Sequence, residues 1–130
     1  FIDTGISPAE VDYINAHGTG TIVGGSEESL ALENVFNKNG YAPYVSSLKG
    51  HLGHTLGASA ALELIVCLEM MKKGYLVPTK NLAKPDPKCG KINYLKEFKK
   101  AKPNLIMKDS FAFGGINSII LLRSYDNGYE

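Results

Sequence analysis

The chain of 130 residues is 44% apolar, which is enough to build a packed core and argues against an intrinsically disordered protein. Its 14 Lys and Arg residues nearly balance its 13 Asp and Glu residues, so its overall charge draws it neither to nucleic acid nor to a membrane surface. The longest apolar stretch, residues 56–71, contains two glutamates and is too short to span a bilayer comfortably. We therefore expect a globular domain, or part of one, without a membrane span.

The first half of the chain predicts a strand, a glycine-rich loop and a helix. The segment VDYINAH, residues 11–17, predicts a short apolar strand, and residues 18–21 predict a flexible loop. Ser26 is a suitable N-cap for the helix that follows, because two glutamates come directly after it. The pair Asn39-Gly40 predicts the end of this helix.

The second half predicts a strand that ends near Ser47, a long helix over residues 54–73 and a stop at Gly74. The long helix is apolar nearly all round, so we expect it to be covered on both sides, partly by a layer from outside this segment. Three more strands are predicted, and the last five residues, DNGYE, are expected to be frayed. The strands lie at residues 92–95, 105–112 and 118–124.

This order of elements predicts an α/β fold, in which helices pack on a sheet and cross over between parallel strands. The two cysteines, Cys67 and Cys89, have neither metal-site nor disulfide spacing, and Cys67 is expected to be buried within the long helix. Reduced thiols of this kind are typical of the cytoplasm, which is the compartment we predict.

Two histidines lie in glycine-rich settings that packing alone does not explain. His17 follows a strand, where its side chain would reach the carboxyl edge of the sheet at which open α/β folds bind ligands. His54 is placed at the predicted start of the long helix, whose dipole would keep the imidazole neutral and able to donate an N–H. His51 could form a metal pair with His54, but no acidic or cysteine ligands cluster nearby, so we predict no metal site.

Two further signals accompany the histidines. Lys49 precedes His54 in a loop flanked by glycine, where its charge could orient a carboxylate. Near the end of the chain, Phe113 precedes Gly114 and Gly115, and backbone N–H groups in such a turn are good donors to an oxyanion.

Three motifs in this order, HGTGT, then K-x-x-x-G-H-x-L-G-A, then F-x-F-G-G-x-N, resemble the β-ketoacyl synthases, the condensing enzymes of fatty-acid and polyketide assembly. The resemblance covers nearly all of residues 1–130 and corresponds to about the C-terminal third of such an enzyme. It implies the C-terminal half of a thiolase-like fold, a layered α/β/α arrangement with a buried central helix. It also implies that the nucleophilic cysteine lies in an N-terminal half outside this chain, since neither Cys67 nor Cys89 lies in a comparable motif.

The activity implied is a decarboxylative Claisen condensation of an acyl thioester with malonyl-acyl-carrier protein. By resemblance, His17 and His54 bind the malonyl thioester carbonyl and stabilise its enolate, and Lys49 supports decarboxylation. The remaining positions match residues of the gate, the oxyanion hole and the binding site for phosphopantetheine. They are Phe113, Gly114 and Gly115 for the gate and oxyanion hole, and Thr19 and Thr21 for phosphopantetheine.

Four further positions match residues that in some members surround a buried polar network or a bound monovalent cation. They are Asn15, Glu28, Glu63 and Asp109. The chain departs from the family pattern at three places nearby: Gly24-Gly25 replaces a pair that usually ends in Asp, Asp109 replaces Asn, and Ala112 replaces Gly. These departures leave the two histidines untouched.

The resemblance also implies partners. The substrate arrives on the phosphopantetheine of acyl-carrier protein, so no cofactor of the enzyme's own is expected. The segment should pair with the N-terminal half of the same fold, in a homodimer or a ketosynthase heterodimer. Two alternatives remain open: a non-catalytic subunit like a chain-length factor, which the retained His17, Lys49 and His54 disfavour, and a thiolase, which HGTGT together with Lys49 disfavours.

Overall fold

A five-stranded mixed sheet forms the centre of the computed structural model, which describes residues 1–125; the predicted frayed tail, 126–130, lies outside the described residues. The sheet order is β4-β2-β1-β6-β7, in which β1, β2, β4 and β6 are parallel and β7 is antiparallel to β6. Two short strands, β3 and β5, pair separately. The strands are β1 Tyr13–Asn15, β2 Tyr44–Ser46, β3 Tyr75–Leu76, β4 Asn93–Tyr94, β5 Lys99–Lys100, β6 Leu105–Ala112 and β7 Ile116–Arg123, and the helices are α1 Ile22–Val35, α2 Lys49–Leu52 and α3 Ser59–Lys73.

The predicted α/β architecture is confirmed, because a helix covers each face of this sheet. On one face, Ile14, Val45 and Met107 pack with Leu32 of α1 and with Phe36. On the other face, the side chains of β1 and β6 pack with α3. The central members of this second cluster are Tyr13, Ile106, Cys67, Met70 and Met71. These two clusters make the layered α/β/α arrangement, and they bury Cys67 as predicted.

The side of α3 that faces away from the sheet is exposed in this chain. Leu62, Ile65 and Leu68 are 41%, 58% and 53% exposed, although all three are large and apolar. Exposed leucine and isoleucine at this spacing are costly in water, since each buried methylene is worth roughly 0.8 kcal/mol. This is the helix for which the apolar pattern predicted a cover on both sides.

The start of α1 differs from the prediction. Thr21, not Ser26, is the N-cap, and its Oγ1 accepts a hydrogen bond of 3.2 Å from the Gly24 N–H. Ser26 lies inside the helix, where its hydroxyl donates to the carbonyls of Ile22 and Val23. The predicted end of the helix is confirmed, since a 3₁₀ turn at Asn37–Asn39 leads into Gly40, whose φ of 83° stops the chain from continuing as a helix.

The start of the long helix also differs from the prediction, because α3 begins at Ser59 rather than near His54. A 3₁₀ turn, Leu56–Ala58, separates the two, and Leu56 itself has a φ of 51°. The end at Gly74 is as predicted, with a φ of 69° and an N–H that donates to the Met70 carbonyl. None of the helices within residues 1–125 has the length and hydropathy needed to cross a membrane.

Candidate active site

His17 lies just beyond the carboxyl end of β1, in a loop that the first turns of α1 hold in place. The backbone N–H groups of His17 and Gly18 both donate to the Glu28 carboxylate, at 2.7 and 2.8 Å. Burial raises the pKa of Glu28, and these two hydrogen bonds oppose that effect by favouring the ionised form. Glu28 therefore positions His17 through its backbone and leaves the imidazole free.

Gly18 is required by this arrangement. Its φ is 44°, a conformation that side chains with a Cβ rarely adopt. The Ser47 hydroxyl, at the end of β2, donates to the Gly18 carbonyl at 2.9 Å. A Cβ at position 18 would lie only 2.5 Å from the Ser47 Cβ, so glycine lets the two strand ends approach each other.

The His54 ring is held through its Nδ1 atom. The Leu56 N–H donates to Nδ1 at 3.2 Å, and the Ser59 hydroxyl lies 3.1 Å from the same atom. Because Nδ1 accepts a backbone hydrogen bond, Nε2 is the ring atom that can present an N–H. Local hydrogen bonds orient this N–H donor. The helix dipole we invoked does not, since α3 starts only at Ser59.

The two imidazoles come together, although they lie in different loops. Their ring centroids are 5.6 Å apart and the planes are nearly perpendicular, at 88°. Phe111 packs edge-on against His17 at 5.8 Å. Burial lowers the pKa of His17, and the positive charges of Lys49 and Lys108 lower it further, so this ring is neutral near pH 7.

Lys49 is buried beside the histidines. It is the first residue of α2 rather than part of a loop as expected, and its Nζ lies 2.7 Å from Oε1 of Glu63 in α3. Burial lowers the pKa of Lys49, and the hydrogen bond and charge of Glu63 oppose that effect. The carboxylate that Lys49 contacts belongs to one of the four network positions.

Lys108 in β6 is a site residue that sequence reasoning missed. Its side chain is 1% exposed, its Nζ lies 2.8 Å from Oε2 of Glu63, and it also donates to the main-chain carbonyl of Asp109. One carboxylate therefore bridges two buried ammonium groups, Lys49 and Lys108. The signal was a lysine inside the apolar strand LIMKDSF, because burying an ammonium group is costly unless a carboxylate lies beside it.

Asn15 and Asp109 lie on opposite faces of the sheet. Asn15 is in register with Lys108 and so shares its face, towards α3, whereas Asp109 is the next residue in β6 and faces α1. Both are buried, and the Asp109 Oδ1 atom and the Asn15 amide have no hydrogen-bond partner among the described residues. Burial raises the pKa of Asp109 to about 7, with a further contribution from the charge of Glu28.

A cavity of about 260 Å³ lies beside the histidines, and only some of the residues predicted to bind phosphopantetheine or to form the gate line it. Thr19, Lys49 and His54 line this cavity. Thr21 is exposed, and its hydroxyl is engaged as the N-cap of α1. The gate residue Phe113 is fully exposed at the tip of the β6–β7 hairpin, next to Gly114 and Gly115, whose φ values are 82° and 78°.

His51 stands apart from this group. Its ring is exposed to solvent, and its Nε2 atom lies 2.9 Å from the Pro78 carbonyl, to which it donates. It thus shares the short helix α2 with Lys49 but points its polar atom at main chain rather than at the other two histidines.

Comparison with known proteins identifies the family. The model of the β-ketoacyl synthase C-terminal domain matches residues 1–83. The chain belongs to this family. It is 39% identical over 125 residues to a 3-oxoacyl-acyl-carrier-protein synthase 2 of Coxiella burnetii, with 95% of this chain and 30% of that protein covered.

Solved β-ketoacyl synthases confirm the fold. A β-ketoacyl synthase from Burkholderia phymatum superposes with a TM-score of 0.87 at 40% identity, over 95% of this chain and 30% of that one. The ketosynthase of a type II polyketide acyl-carrier-protein complex superposes with a TM-score of 0.88 at 34% identity, over 96% and 31%. The β-ketoacyl synthase chain thus has the predicted C-terminal half of a thiolase-like fold, and it spans about 30% of the length of these relatives.

Proposed function

We propose that this chain is the C-terminal part of an enzyme that condenses an acyl thioester with malonyl-acyl-carrier protein, in fatty-acid or polyketide-type synthesis. The observation that carries the proposal is the pair of imidazoles, His17 and His54, whose rings are 5.6 Å apart beside the buried Lys49. Membership of the β-ketoacyl synthase family supports it.

The chemistry needs donors that remain neutral. When the malonyl group loses carbon dioxide, the electrons of the broken C–C bond form an enolate, and negative charge develops on the thioester oxygen. Two N–H groups aimed at that oxygen stabilise the charge, at roughly 3 kcal/mol for each donor. The His54 Nε2–H is available because Nδ1 is occupied by the Leu56 N–H.

The next step joins the two substrates. The enolate carbon attacks the carbonyl of an acyl group carried on a cysteine, a C–C bond forms and the cysteine thiolate leaves. That cysteine belongs to the proposed N-terminal half, and the Phe113 N–H, in the turn with Gly114 and Gly115, would help bind the resulting oxyanion. The full exposure of the Phe113 side chain suits a gate that contacts groups outside this chain.

The neighbouring residues have supporting roles in the proposal. The Lys49 ammonium assists decarboxylation from the wall of the 260 Å³ cavity, and Thr19 on the same wall contacts phosphopantetheine. Thr21 is also assigned to phosphopantetheine, although its hydroxyl caps α1 as well. The pantetheine arm arrives with acyl-carrier protein, so the chain needs no cofactor of its own for this reaction.

The complete enzyme would make contacts beyond this chain, both within its own fold and with acyl-carrier protein. The apolar outer face of α3, with Leu62, Ile65 and Leu68, would pack against the N-terminal half of the same fold. The complete enzyme would be a homodimer or a ketosynthase heterodimer, and it would dock acyl-carrier protein at the entrance to the site. We assign it to the cytoplasm, where its two free cysteines would stay reduced.

The deciding experiment uses the complete protein with acyl- and malonyl-carrier protein as substrates. We expect a 3-oxoacyl product together with one carbon dioxide for each condensation. A thiolase would instead join two acetyl-CoA molecules without releasing carbon dioxide. A subunit of the chain-length-factor kind would form no acyl-enzyme and would release product only when combined with a catalytic partner. Either of these results would overturn the proposal.

A further inference from the structure

The buried network around Glu63 contains its own cation. By resemblance, this network occupies a place that binds a monovalent cation in some family members. In this chain the Lys108 side chain, 1% exposed, reaches into it from β6. Its ammonium lies 2.8 Å from Oε2 of Glu63 and donates to the Asp109 main-chain carbonyl. A carboxylate oxygen and a main-chain carbonyl are the oxygen ligands that a small monovalent cation would use.

A free cation does not fit this donor set. Both oxygens of Glu63 already face an ammonium group: Oε1 accepts a hydrogen bond from Lys49 at 2.7 Å, and Oε2 is ion-paired with Lys108 at 2.8 Å in a geometry that is not a hydrogen bond. The Lys49 and Lys108 ammonium groups together already exceed the charge of the single carboxylate between them. A further positive ion at this position would be buried beside two like charges, and the Glu63 carboxylate is already ion-paired with both of them.

We propose that the Lys108 ammonium replaces the monovalent cation, as a covalently attached counter-charge that holds Glu63 and, through it, Lys49. Lys108 acts here as a positioning residue. Its register with Asn15 in β1 and Ser46 in β2 places it on the face of the sheet that packs against α3, where Glu63 lies. A network completed by a side chain requires no ion from solution.

The groups that surround Lys108 are consistent with its role as the counter-charge of Glu63. Asp109, next to Lys108, faces the other side of the sheet, where Glu28 lies, so it does not compete for the ammonium with its carboxylate. Asn15 brings a buried amide to the Lys108 side, and that amide has no hydrogen-bond partner among the described residues. Once the Lys108 side chain is shortened, the amide oxygen of Asn15 and the carboxylate oxygen of Glu63 would be left to coordinate an added ion.

The test measures how stability depends on the cation in the complete protein. We would compare melting temperatures in potassium chloride and in choline chloride at equal ionic strength. The wild-type protein is expected to melt at the same temperature in both. Lys108→Ser should melt at a lower temperature in choline chloride, and potassium should recover a large part of the loss. Lys108→Met, which fills the space without charge, should melt at a lower temperature in both salts.

A second measurement locates the ion. Crystals of the complete protein soaked in rubidium chloride should show an anomalous peak beside Glu63 in Lys108→Ser and none there in the wild type. Lys100→Ser, which removes an exposed lysine of β5, is the matched control and should behave as wild type. The proposal is overturned if potassium raises the wild-type melting temperature over choline, if wild-type crystals show the peak, or if Lys108→Ser gains neither recovery nor peak.

These readouts do not depend on catalysis, so the inference can fail while the proposed condensing activity stands, and the reverse. If Lys108→Ser does not fold, the two wild-type measurements still decide, because a stabilising effect of potassium or a rubidium peak beside Glu63 in the wild type contradicts an internal counter-charge.

Discussion

The Glu63 carboxylate in α3 lies 2.7 Å from the Lys49 ammonium in α2, and both side chains are almost completely buried. This contact joins the helix that packs against the sheet to the short helix beside His54. The second oxygen of Glu63 meets Lys108 in β6, so a single carboxylate ties two helices and a strand together. The network is therefore a fixed support for the histidine pair.

Replacing this carboxylate should be costly. Glu63→Gln leaves two buried ammonium groups without a counter-charge, and breaking a buried pair in this way costs about 3–5 kcal/mol. We expect a loss of that size in the free energy of unfolding, measured by chemical denaturation of the complete protein. Glu69→Gln on the same helix removes only an exposed pair with Lys73 and should cost less than about 1 kcal/mol. Equal effects of the two changes would contradict the account of the network.

We expect substitutions of the two neighbouring glycines in α1, Gly24 and Gly25, to change the stability of the protein in opposite directions. A Cβ at Gly25 would meet nothing within 4 Å, so Gly25→Ala should stabilise the protein by about 0.5–1 kcal/mol through helix propensity. A Cβ at Gly24 would lie 2.6 Å from the Thr21 Oγ1 that caps the helix, so Gly24→Ala should destabilise it. Thermal melts of both variants check this, and stabilisation by both would show that the Thr21 cap is unimportant.

The buried Asp109 should make stability depend on pH. Burial raises its pKa from 3.8 to about 7 in the folded protein, so the folded state binds this proton more tightly than the unfolded state. Stability should therefore fall as pH rises from about 4 to about 7, by up to about 4 kcal/mol for a shift of this size. Glu28 strengthens the effect and Lys108 weakens it.

Asp109→Asn removes this titration and keeps the size of the side chain. The variant should match the wild type near pH 4 and exceed it in stability at pH 8, as measured by denaturation at the two pH values. A difference between the two proteins that does not change with pH would show that folding does not raise the pKa of Asp109.

Much of the fold could be predicted from the sequence because its signals are local. Strand and helix periodicity placed β1, β2, β6 and α3, and Gly40 and Gly74 marked helix ends through their left-handed conformations. The predicted N-cap of α1 was wrong because Ser26 and Thr21 are both suitable N-cap residues. In the structure it is the Thr21 hydroxyl that accepts the hydrogen bond from the Gly24 N–H. The short pair β3–β5 was missed because two-residue strands carry no periodicity.

The candidate site was predictable only where a motif carried it. His17, Lys49 and His54 were recognised from their motifs, but the orientation of the His54 ring depends on a turn that begins at Leu56, which the apolar helical pattern did not predict. Lys108 was missed because its role comes from a contact with Glu63, distant in sequence. Such contacts form only when the register of the sheet is set, so a local sequence pattern cannot predict them.

The central claim is that His17 and His54 donate to one enolate oxygen, and decarboxylation by the complete enzyme tests it most directly. His17→Ala and His54→Ala should each lower carbon dioxide release from malonyl-carrier protein by roughly 10²–10³-fold, while acylation of the cysteine, followed by mass spectrometry, is much less affected. His51→Ala is the control and should behave as wild type, since among residues 1–125 its ring hydrogen-bonds to the Pro78 carbonyl and to neither of the other histidines. Normal decarboxylation by both the His17 and His54 variants would contradict the claim.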